Sequence, residues 1–357
     1  LRVRAKDVVA DGVVSLTLDH PDGVRLPDWT PGAHIDLALP NGITRQYSLC
    51  GDRRDPYTYR IAVLREPAGR GGSAYGHDRL MQGDRVGVGG AHNHFPLVPA
   101  DRYPFIAGGI GITPLLPMIR QAEMTGAEWQ LLYGGRTRAS MAFRADLTHA
   151  YGGRVHIDPQ DECGPLDLAA WLNEPLSATK VYCCGPAPLL AAVREACAHW
   201  PGHSLRTERF TAADRSEPVR RTPFEVEPRR TGRTVTVTPD VSVLHAVRGA
   251  GAEVLSSCEQ GTCGTCLVPV LEGTPDHRDA VLADHERAAG DCMMPCVSRS
   301  RSDRLVLNLR AFSTGSRPEP RAAEPAITVA SNSSDPSRLS WSRHDRDSSR
   351  SRVATDR

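Results

Sequence analysis

The sequence predicts a multidomain chain, part α/β and part all-β, with an N-terminal antiparallel β-barrel, a central parallel α/β domain and a small β-rich C-terminal domain. Three observations carry this reading. A length of 357 residues exceeds what one hydrophobic core usually organises. Up to about residue 98 the chain is written in short alternating segments broken by turn residues, the pattern of a small barrel. From Tyr103 onward each apolar strand is followed by a helical stretch, and repeated strand-helix units imply a parallel sheet.

The barrel segments are, in order, GVVSLTL, AHIDLAL, TRQYSLC, YTYRIAVL and DRVGVGG. In the middle of the chain YPFIAGG leads into the helix TPLLPMIRQAEMTG, EWQLLYGG into a helix over 141–148, and KVYCCGP into APLLAAVREACAHW. Ligands of such a sheet bind at the carboxyl ends of its strands. TAADRSEPVRRT is polar and reads as a linker. FEVEPRRTGRTVTVTP reads as a hairpin turning at Thr231-Gly232, followed by a short helix in SVLHAVRGAG, a cysteine loop, the strand CLVPVLEG and the closing strand RLVLNL. From about Ser316 the chain is Ser, Arg, Asp and Pro with few apolar residues, and disorder is expected. The expected parts are therefore 1–99, 100–210, a linker over 211–222, 223–312 and a disordered tail over 313–357.

Composition removes several classes of function. Lys and Arg number 43 against 42 Asp and Glu, a net charge of +1 that gives no general attraction to nucleic acid or to an anionic membrane. The longest uncharged run, YPFIAGGIGITPLLPMI, has 17 residues and three prolines. A spanning helix needs about 20 apolar residues. The first twenty residues mix charges with valines and show no secretory apolar core. A cytoplasmic protein with no nucleic-acid and no membrane partner is expected, and a reducing cytosol disfavours a disulfide framework for its ten cysteines.

Three of those cysteines stand in CEQGTCGTC, where Cys258, Cys263 and Cys266 have the spacing C-x4-C-x2-C. This is the front of the plant-type 2Fe-2S pattern, which needs one more cysteine downstream; Cys292 and Cys296 are both candidates. Gly261 and Gly264 let backbone amides turn toward sulfur, and such hydrogen bonds favour negative charge there. A zinc site pairs its first knuckle with a second knuckle or two histidines, and this rhythm has neither.

SCEQGTCGTCLVPVLEG, DHRD and PCVSRS resemble the C-terminal ferredoxin domain of the family of phthalate dioxygenase reductase and vanillate demethylase reductase, and the resemblance extends over about residues 1–312. It implies a β-grasp 2Fe-2S ferredoxin domain behind a flavin-binding barrel and a ferredoxin-reductase-like nucleotide domain. In the family about 29 residues precede the distant fourth ligand. Here 29 residues separate Cys266 from Cys296 and 25 separate it from Cys292, which selects Cys296. PCVSRS also sets Cys296 just before the closing strand, where a rigid core holds a ligand in place.

RQYSLC lies on a barrel strand. Arg45 suits a phosphate, Tyr47 offers a flat face to an isoalloxazine ring and Ser48 a hydrogen bond to a ring nitrogen. Alone the string is weak, because surface strands often alternate polar and aromatic residues. About 25 residues on, GRGGSAYGHD sets glycines and a serine before a helical turn, an amide-lined anion pocket. The resemblance implies that Arg45, Tyr47, Ser48, Gly72 and Ser73 hold one flavin. It also implies FMN instead of FAD, since YGHDRLMQGDRVGV shows no adenine platform.

FIAGGIGITPLLPMI is strand, glycine turn and helix, with Gly109, Gly111, Thr113 and Pro114 in G-x-G-x-x-P. The glycines admit a pyrophosphate to the backbone and Pro114 suits a first helical turn, although ordinary βα units use such turns too. VYCCGPAPLL ends a strand with Cys184 and continues Gly185-Pro186, matching the element that flanks the nicotinamide in ferredoxin-reductase-like enzymes. The alternative is a buried structural cysteine. The resemblance further implies NADH as donor, with Tyr133 to Arg136 bordering its adenosine, while Arg136 and Arg138 suit a 2'-phosphate equally. ERF, ending in Phe210, resembles the segment that returns over the flavin and fits plain interdomain packing as well.

A hydride carries two electrons and a 2Fe-2S cluster takes one, so a flavin between them reconciles the two, and one chain keeps the centres at high effective concentration. The expected protein is an NADH-dependent FMN and 2Fe-2S reductase in which Tyr47, Ser48 and Cys184 line the hydride-transfer site. It would deliver electrons to a separate oxygenase component, a Rieske-type enzyme acting on an aromatic ring or a methoxy group. The alternatives are a thiolate-haem monooxygenase as partner, or an electron-transfer binding module whose flavin site is inactive.

Overall fold

The N-terminal strands close into a barrel by main-chain hydrogen bonds. In the computed structural model, which describes residues 1–210, 217–256, 258–282 and 284–311, six antiparallel strands come first. They are β1 (Arg2–Ala10), β2 (Val13–Asp19), β3 (His34–Ala38), β4 (Thr44–Ser48), β5 (Thr58–Leu64) and, after helix α1 (Gly72–Asp78), β6 (Gly87–His92). They pair as β1-β2-β5 and β4-β3-β6. The Cys50 amide donates to the Arg60 carbonyl at 2.8 Å and so joins β4 to β5; an Arg2–Arg85 bridge joins β1 to β6. Leu16, Leu18, Ile35, Leu37, Leu49 and Ile61 fill the interior. The sequence reading began its strands near residue 8 and missed β1, whose RVRAKDVVA buries only Val3 and carries charge along the rest.

The next section is a five-stranded parallel sheet of order β11-β10-β7-β8-β9. Its elements are β7 (Arg102–Gly108), α2 (Ile112–Thr125), β8 (Glu128–Gly135), α3 (Arg144–Tyr151), β9 (Val155–Pro159), α4 (Gln160–Cys163), α5 (Leu168–Leu172), β10 (Val181–Cys184), α6 (Ala187–Ala196) and β11 (Leu205–Glu208). The chain runs outward through β7, β8 and β9, then crosses back to β10, so the strand order switches between β7 and β10. The edge strands β9 and β11 were invisible in the sequence because VHIDP and LRTE are short and half-buried.

Alternation along these strands assigns their faces. Phe105, Tyr182 and Cys184 point to one core, whereas Ile106, Val181 and Cys183 point to the other, under α5 and α6. The first of these cores also takes Val13, Cys50 and Ala62 from the barrel chain. Strand β5 is therefore shared: Ile61 and Val63 face the barrel interior and Ala62 faces the sheet.

The C-terminal section is a mixed sheet of order β13-β12-β19-β15-β17, with β12 and β19 parallel. In chain order come β12 (Phe224–Pro228), β13 (Val235–Val237), α7 (Val243–Gly249), β14 (Ala252–Glu253), β15 (Val268–Glu272), β16 (Pro275–Asp276), α8 (Asp284–Ala289), β17 (Cys292–Met293), β18 (Arg299–Ser300), β19 (Arg304–Leu307) and β20 (Arg310–Ala311). Ser242 caps α7 by accepting from the His245 amide at 3.1 Å, and Val243, Leu244 and Val247 bury the helix against Phe224, Val226 and Leu305. A helix laid across a mixed sheet is the β-grasp arrangement expected from the sequence. The expected tail 313–357, and residues 211–216 of the expected linker, lie outside the described residues.

Gly32 marks where the barrel meets α2. Its φ is +92°, and a Cβ there would collide with the Phe95 carbonyl and lie 2.9 Å from Met118 Cε. Left-handed strain and overpacking act together at this position. Gly32→Ala is therefore expected to cost about 3 kcal/mol, read as a lowered midpoint in urea unfolding.

Candidate functional site

The cysteine loop runs from the end of β14 to β15. Its four sulfurs fall into two pairs. Cys263 donates to Cys258 and Cys296 to Cys266, which lowers the accepting thiol of each pair and raises the donating one. Backbone amides converge on the same sulfurs: Gln260 and Thr262 donate to Cys258 Sγ at 3.3 and 3.4 Å, and Thr265 donates to Cys263 Sγ at 3.4 Å. Such a sulfur set, with backbone N–H donors aimed at it, fits a cluster with two cysteines to each of two irons. Among the described residues no group of three His, Cys, Asp or Glu side chains converges on a single-ion site. Cys292 stands apart on β17, paired with Pro269 of β15.

The flavin-strand residues meet the glycine loop. Arg45 donates to the Thr44 carbonyl at 2.7 Å and to the Arg70 carbonyl at 3.0 Å, and its Cγ would lie 2.7 Å from a Cβ at Gly72. Helix α1 begins after Gly71, which has φ +81° and no side-chain cap, so its first amides have no intrahelical acceptor. Ser73 Oγ accepts from the Glu66 amide at 3.1 Å. Arg45, Arg70 and these amides form a cationic, donor-rich end that fits a phosphate. Tyr47 is half-buried, with its hydroxyl pushed up to about 12 by burial, and Ser48 is buried beside it.

At the sheet switch point two turns touch. A Cβ at Gly111 would collide with the Cys184 carbonyl oxygen, one at Gly108 would lie 2.6 Å from Pro186 Cδ, and one at Gly185 would lie 3.0 Å from Gly108 Cα. The structure so brings together Gly109, Gly111, Cys184, Gly185 and Pro186, with Pro114 in the first turn of α2. Thr113 is buried, its hydroxyl donating to the Ile110 carbonyl at 3.0 Å. Tyr133 is placed differently from the expectation for a nucleotide contact: its ring is fully buried, and its hydroxyl donates to the Ala142 carbonyl at 3.1 Å. Arg136 is exposed on the loop after β8. Phe210 follows β11 with 40% of its surface exposed.

The three regions are contiguous. Cys50, two residues past Ser48, shares a core with Cys184, and Arg120 of α2 donates to the Gly51 carbonyl at 2.7 Å. The cysteine loop rests on the barrel at two points: Arg70 donates to the Cys258 carbonyl at 3.4 Å, and a Cβ at Gly264 would lie 2.6 Å from His94 Nε2.

Known proteins share this arrangement. Residues 226–301 match the 2Fe-2S iron-sulfur cluster binding domain and residues 105–195 the oxidoreductase NAD-binding domain. Phenoxybenzoate dioxygenase subunit beta of Ectopseudomonas oleovorans is 43% identical over 311 residues, covering 87% of this chain and 97% of that one. Phthalate dioxygenase reductase of Burkholderia cepacia is 38% identical over 314 residues, with the same coverage of 87% and 97%. The solved structure of phthalate dioxygenase reductase, a modular structure for electron transfer from pyridine nucleotides to 2Fe-2S, superposes with a TM-score of 0.65 at 38% identity over 86% of this chain and 97% of that one. The chain belongs to the phthalate dioxygenase reductase family. It is an NADH-dependent oxidoreductase with FMN and a 2Fe-2S cluster, the reductase component of an oxygenase system. An intact type IV self-sufficient cytochrome P450 monooxygenase also superposes, with a TM-score of 0.80 at 43% identity; this reductase covers 40% of that longer chain and 86% of its own.

Sequence reasoning passed over three residues of this site. Glu208 ends β11 next to the end of β10, and its carboxyl turns inward within 3.8 Å of Cys184 Sγ although the residue is partly exposed. Burial raises it to about 8. Of the two contacts of the cysteine loop, Arg70 is the second letter of GRGGSAYGHD and was given no role there, and His94 lies outside every quoted segment. No spacing rule singles out a residue that touches a distant loop.

Two predictions follow from this geometry. In this reductase Cys296→Ser should lose the cluster's visible and electron-spin signals while retaining FMN, and Cys292→Ser should keep both; iron lost from the Cys292 variant alone overturns the pairing. Glu208 binds its proton more tightly folded than unfolded, since its value rises from 4.5 to about 8. Its contribution is whole at low pH and is lost as pH rises through that window. Thermal melts should show this fall between pH 5 and 8, and Glu208→Gln should flatten it.

Proposed function

We propose that this reductase accepts the hydride of NADH where the barrel meets the parallel sheet and releases electrons through the cysteine loop to an oxygenase component. One observation carries the reading: the cysteine loop is seated on the flavin barrel at Arg70 and at His94, so two redox sites of one chain lie side by side.

The residues divide the work as follows. Arg45, Gly72, Ser73 and the first amides of α1 hold the flavin phosphate. Tyr47 and Ser48 receive the ring, and Phe210 covers it. Gly109, Gly111, Thr113 and Pro114 admit the pyrophosphate of NADH, Arg136 borders its adenosine, and Cys184, Gly185 and Pro186 bound the nicotinamide. Tyr133 supports the strand end from within the core. Glu208, whose carboxyl is raised by burial, accepts from the Cys184 thiol at 3.8 Å and so backs the proposed nicotinamide wall. Cys258, Cys263, Cys266 and Cys296 hold the cluster. Bound there, the flavin supplies the exchange between a two-electron donor and a one-electron acceptor. The seams are placed at 1–99, 100–210 and 223–312, with 211–222 as linker; a core confined to residues 224–309 supports the last of them.

The partner is proposed to be a Rieske-type oxygenase acting on an aromatic ring or methoxy group, in keeping with the dioxygenase relatives. A thiolate-haem monooxygenase is the second reading, favoured by the TM-score of 0.80 to the self-sufficient monooxygenase. Among the described residues no helix is long and apolar enough to cross a membrane, which fits a proposed place in the cytoplasm. Rapid mixing tests the assignment. NADH-reduced protein should be reoxidised about tenfold faster by a Rieske oxygenase component than by a thiolate-haem monooxygenase at equal concentration. The reverse order moves the assignment to the second reading, and a flavin that NADH does not bleach rejects both in favour of an inactive flavin module.

A further inference from the structure

The nucleotide domain carries, past the carboxyl ends of two strands, a charge pair that the electron route does not use. Arg138 lies on the loop after β8, and Glu162 lies in α4, the single turn that follows β9. Arg138 Nε donates to Glu162 Oε1 at 2.9 Å and to Oε2 at 3.2 Å, and its Nη2 donates to Oε2 as well. One further bond ties the two loops, the Asp161 amide donating to the Arg136 carbonyl at 3.2 Å, and one braces the first loop on itself, Arg144 Nε donating to the Arg138 carbonyl at 2.9 Å. The paired side chains are 46% and 44% exposed, so the pair adds little to fold stability. Its effect is to occupy the guanidinium fork, the geometry best suited to a phosphate.

The place of the pair gives it a role. Both loops stand at the carboxyl edge of the sheet, next to the glycine turn of β7. Neighbouring strands are ~5 Å apart, so the ends of β8 and β9 lie within about 10 Å of that turn, the reach from a pyrophosphate to the adenosine ribose. The loop and first residue after it, 136–144, carry Arg136, Arg138 and Arg144; the end of β9 and α4 carry Asp158, Asp161 and Glu162. Local charge is balanced, and no cation is in surplus for a phosphate dianion.

We propose that the Glu162–Arg138 pair is the element that makes this reductase reject NADPH. Glu162 holds the guanidinium that would otherwise bind a 2'-phosphate. NADH, with a 2'-hydroxyl, does not need it. The inference rests on the reading of this edge as the nucleotide site.

Glu162→Gln releases Arg138 without changing size, and the test uses the full chain with its cofactors. Calorimetric titration with adenosine 2',5'-bisphosphate and with 5'-AMP reads the adenosine half directly. Steady-state reduction of ferricyanide by NADPH and NADH reads the whole nucleotide. The bisphosphate should bind the variant about tenfold tighter than the wild type, and KM for NADPH should fall by a similar factor. Affinity for 5'-AMP, kcat with NADH and the flavin and cluster spectra should stay within about twofold. In the double variant Glu162→Gln/Arg138→Gln the gain should vanish. An unchanged bisphosphate-to-AMP ratio in the single variant overturns the proposal. So does a gain that survives in the double variant, since lost repulsion would then explain it without the arginine. If 5'-AMP does not compete with NADH in the wild type, the adenosine placement is wrong and the proposal falls with it.

Discussion

The catalytic middle of this reductase depends on two stretches of backbone being allowed to touch. Gly108 and Gly111 on one side and Cys184 and Gly185 on the other approach so closely that a single methyl group has no room. Their contact fixes the carboxyl ends of β7 and β10 at the one place where the strand order reverses. A parallel sheet opens a crevice at such a place, and a crevice floored by main chain can take a flat, charged cofactor without side chains in the way.

From this point the electron route is a matter of adjacency. Cys50 links the strand that bears Tyr47 and Ser48 to the core that bears Cys184. Arg70 belongs at once to the phosphate end of the barrel, through its carbonyl to Arg45, and to the cysteine loop, through its guanidinium to Cys258. One arginine thus touches both Arg45 on the barrel strand and the cysteine loop.

How much could be read from the letters alone varied with the kind of constraint. The cluster domain was legible because metal chemistry demands both residue type and spacing, and the C-x4-C-x2-C rhythm is a countable quantity. The glycine turns were legible because a side chain has no room where the two backbones approach. Tyr133 was misleading, since the last residues of a strand alternate between core and ligand face and the string YGGR does not say which face the tyrosine takes. Strands β1, β9 and β11 were lost for a related reason: at an edge, half of the usual apolar signal is replaced by charge. Glu208, Arg70 and His94 depend on long-range placement, which a local pattern does not encode.

The sharing of β5 has a consequence for how such proteins diversify. Because Ala62 faces the sheet while its neighbours Ile61 and Val63 line the barrel, the first two sections have no clean apolar boundary between them. The C-terminal section closes its core with residues 224–309, and its contacts with the rest include the Arg70–Cys258 hydrogen bond, Gly264 against His94 and the His203–His285 ring contact. A gene-level exchange that cuts after residue 222 transfers a self-sufficient unit, whereas a cut near residue 100 leaves two halves each exposing apolar surface. Over evolutionary time the flavin and nucleotide sections are expected to be inherited as one block, and the iron–sulfur section to travel.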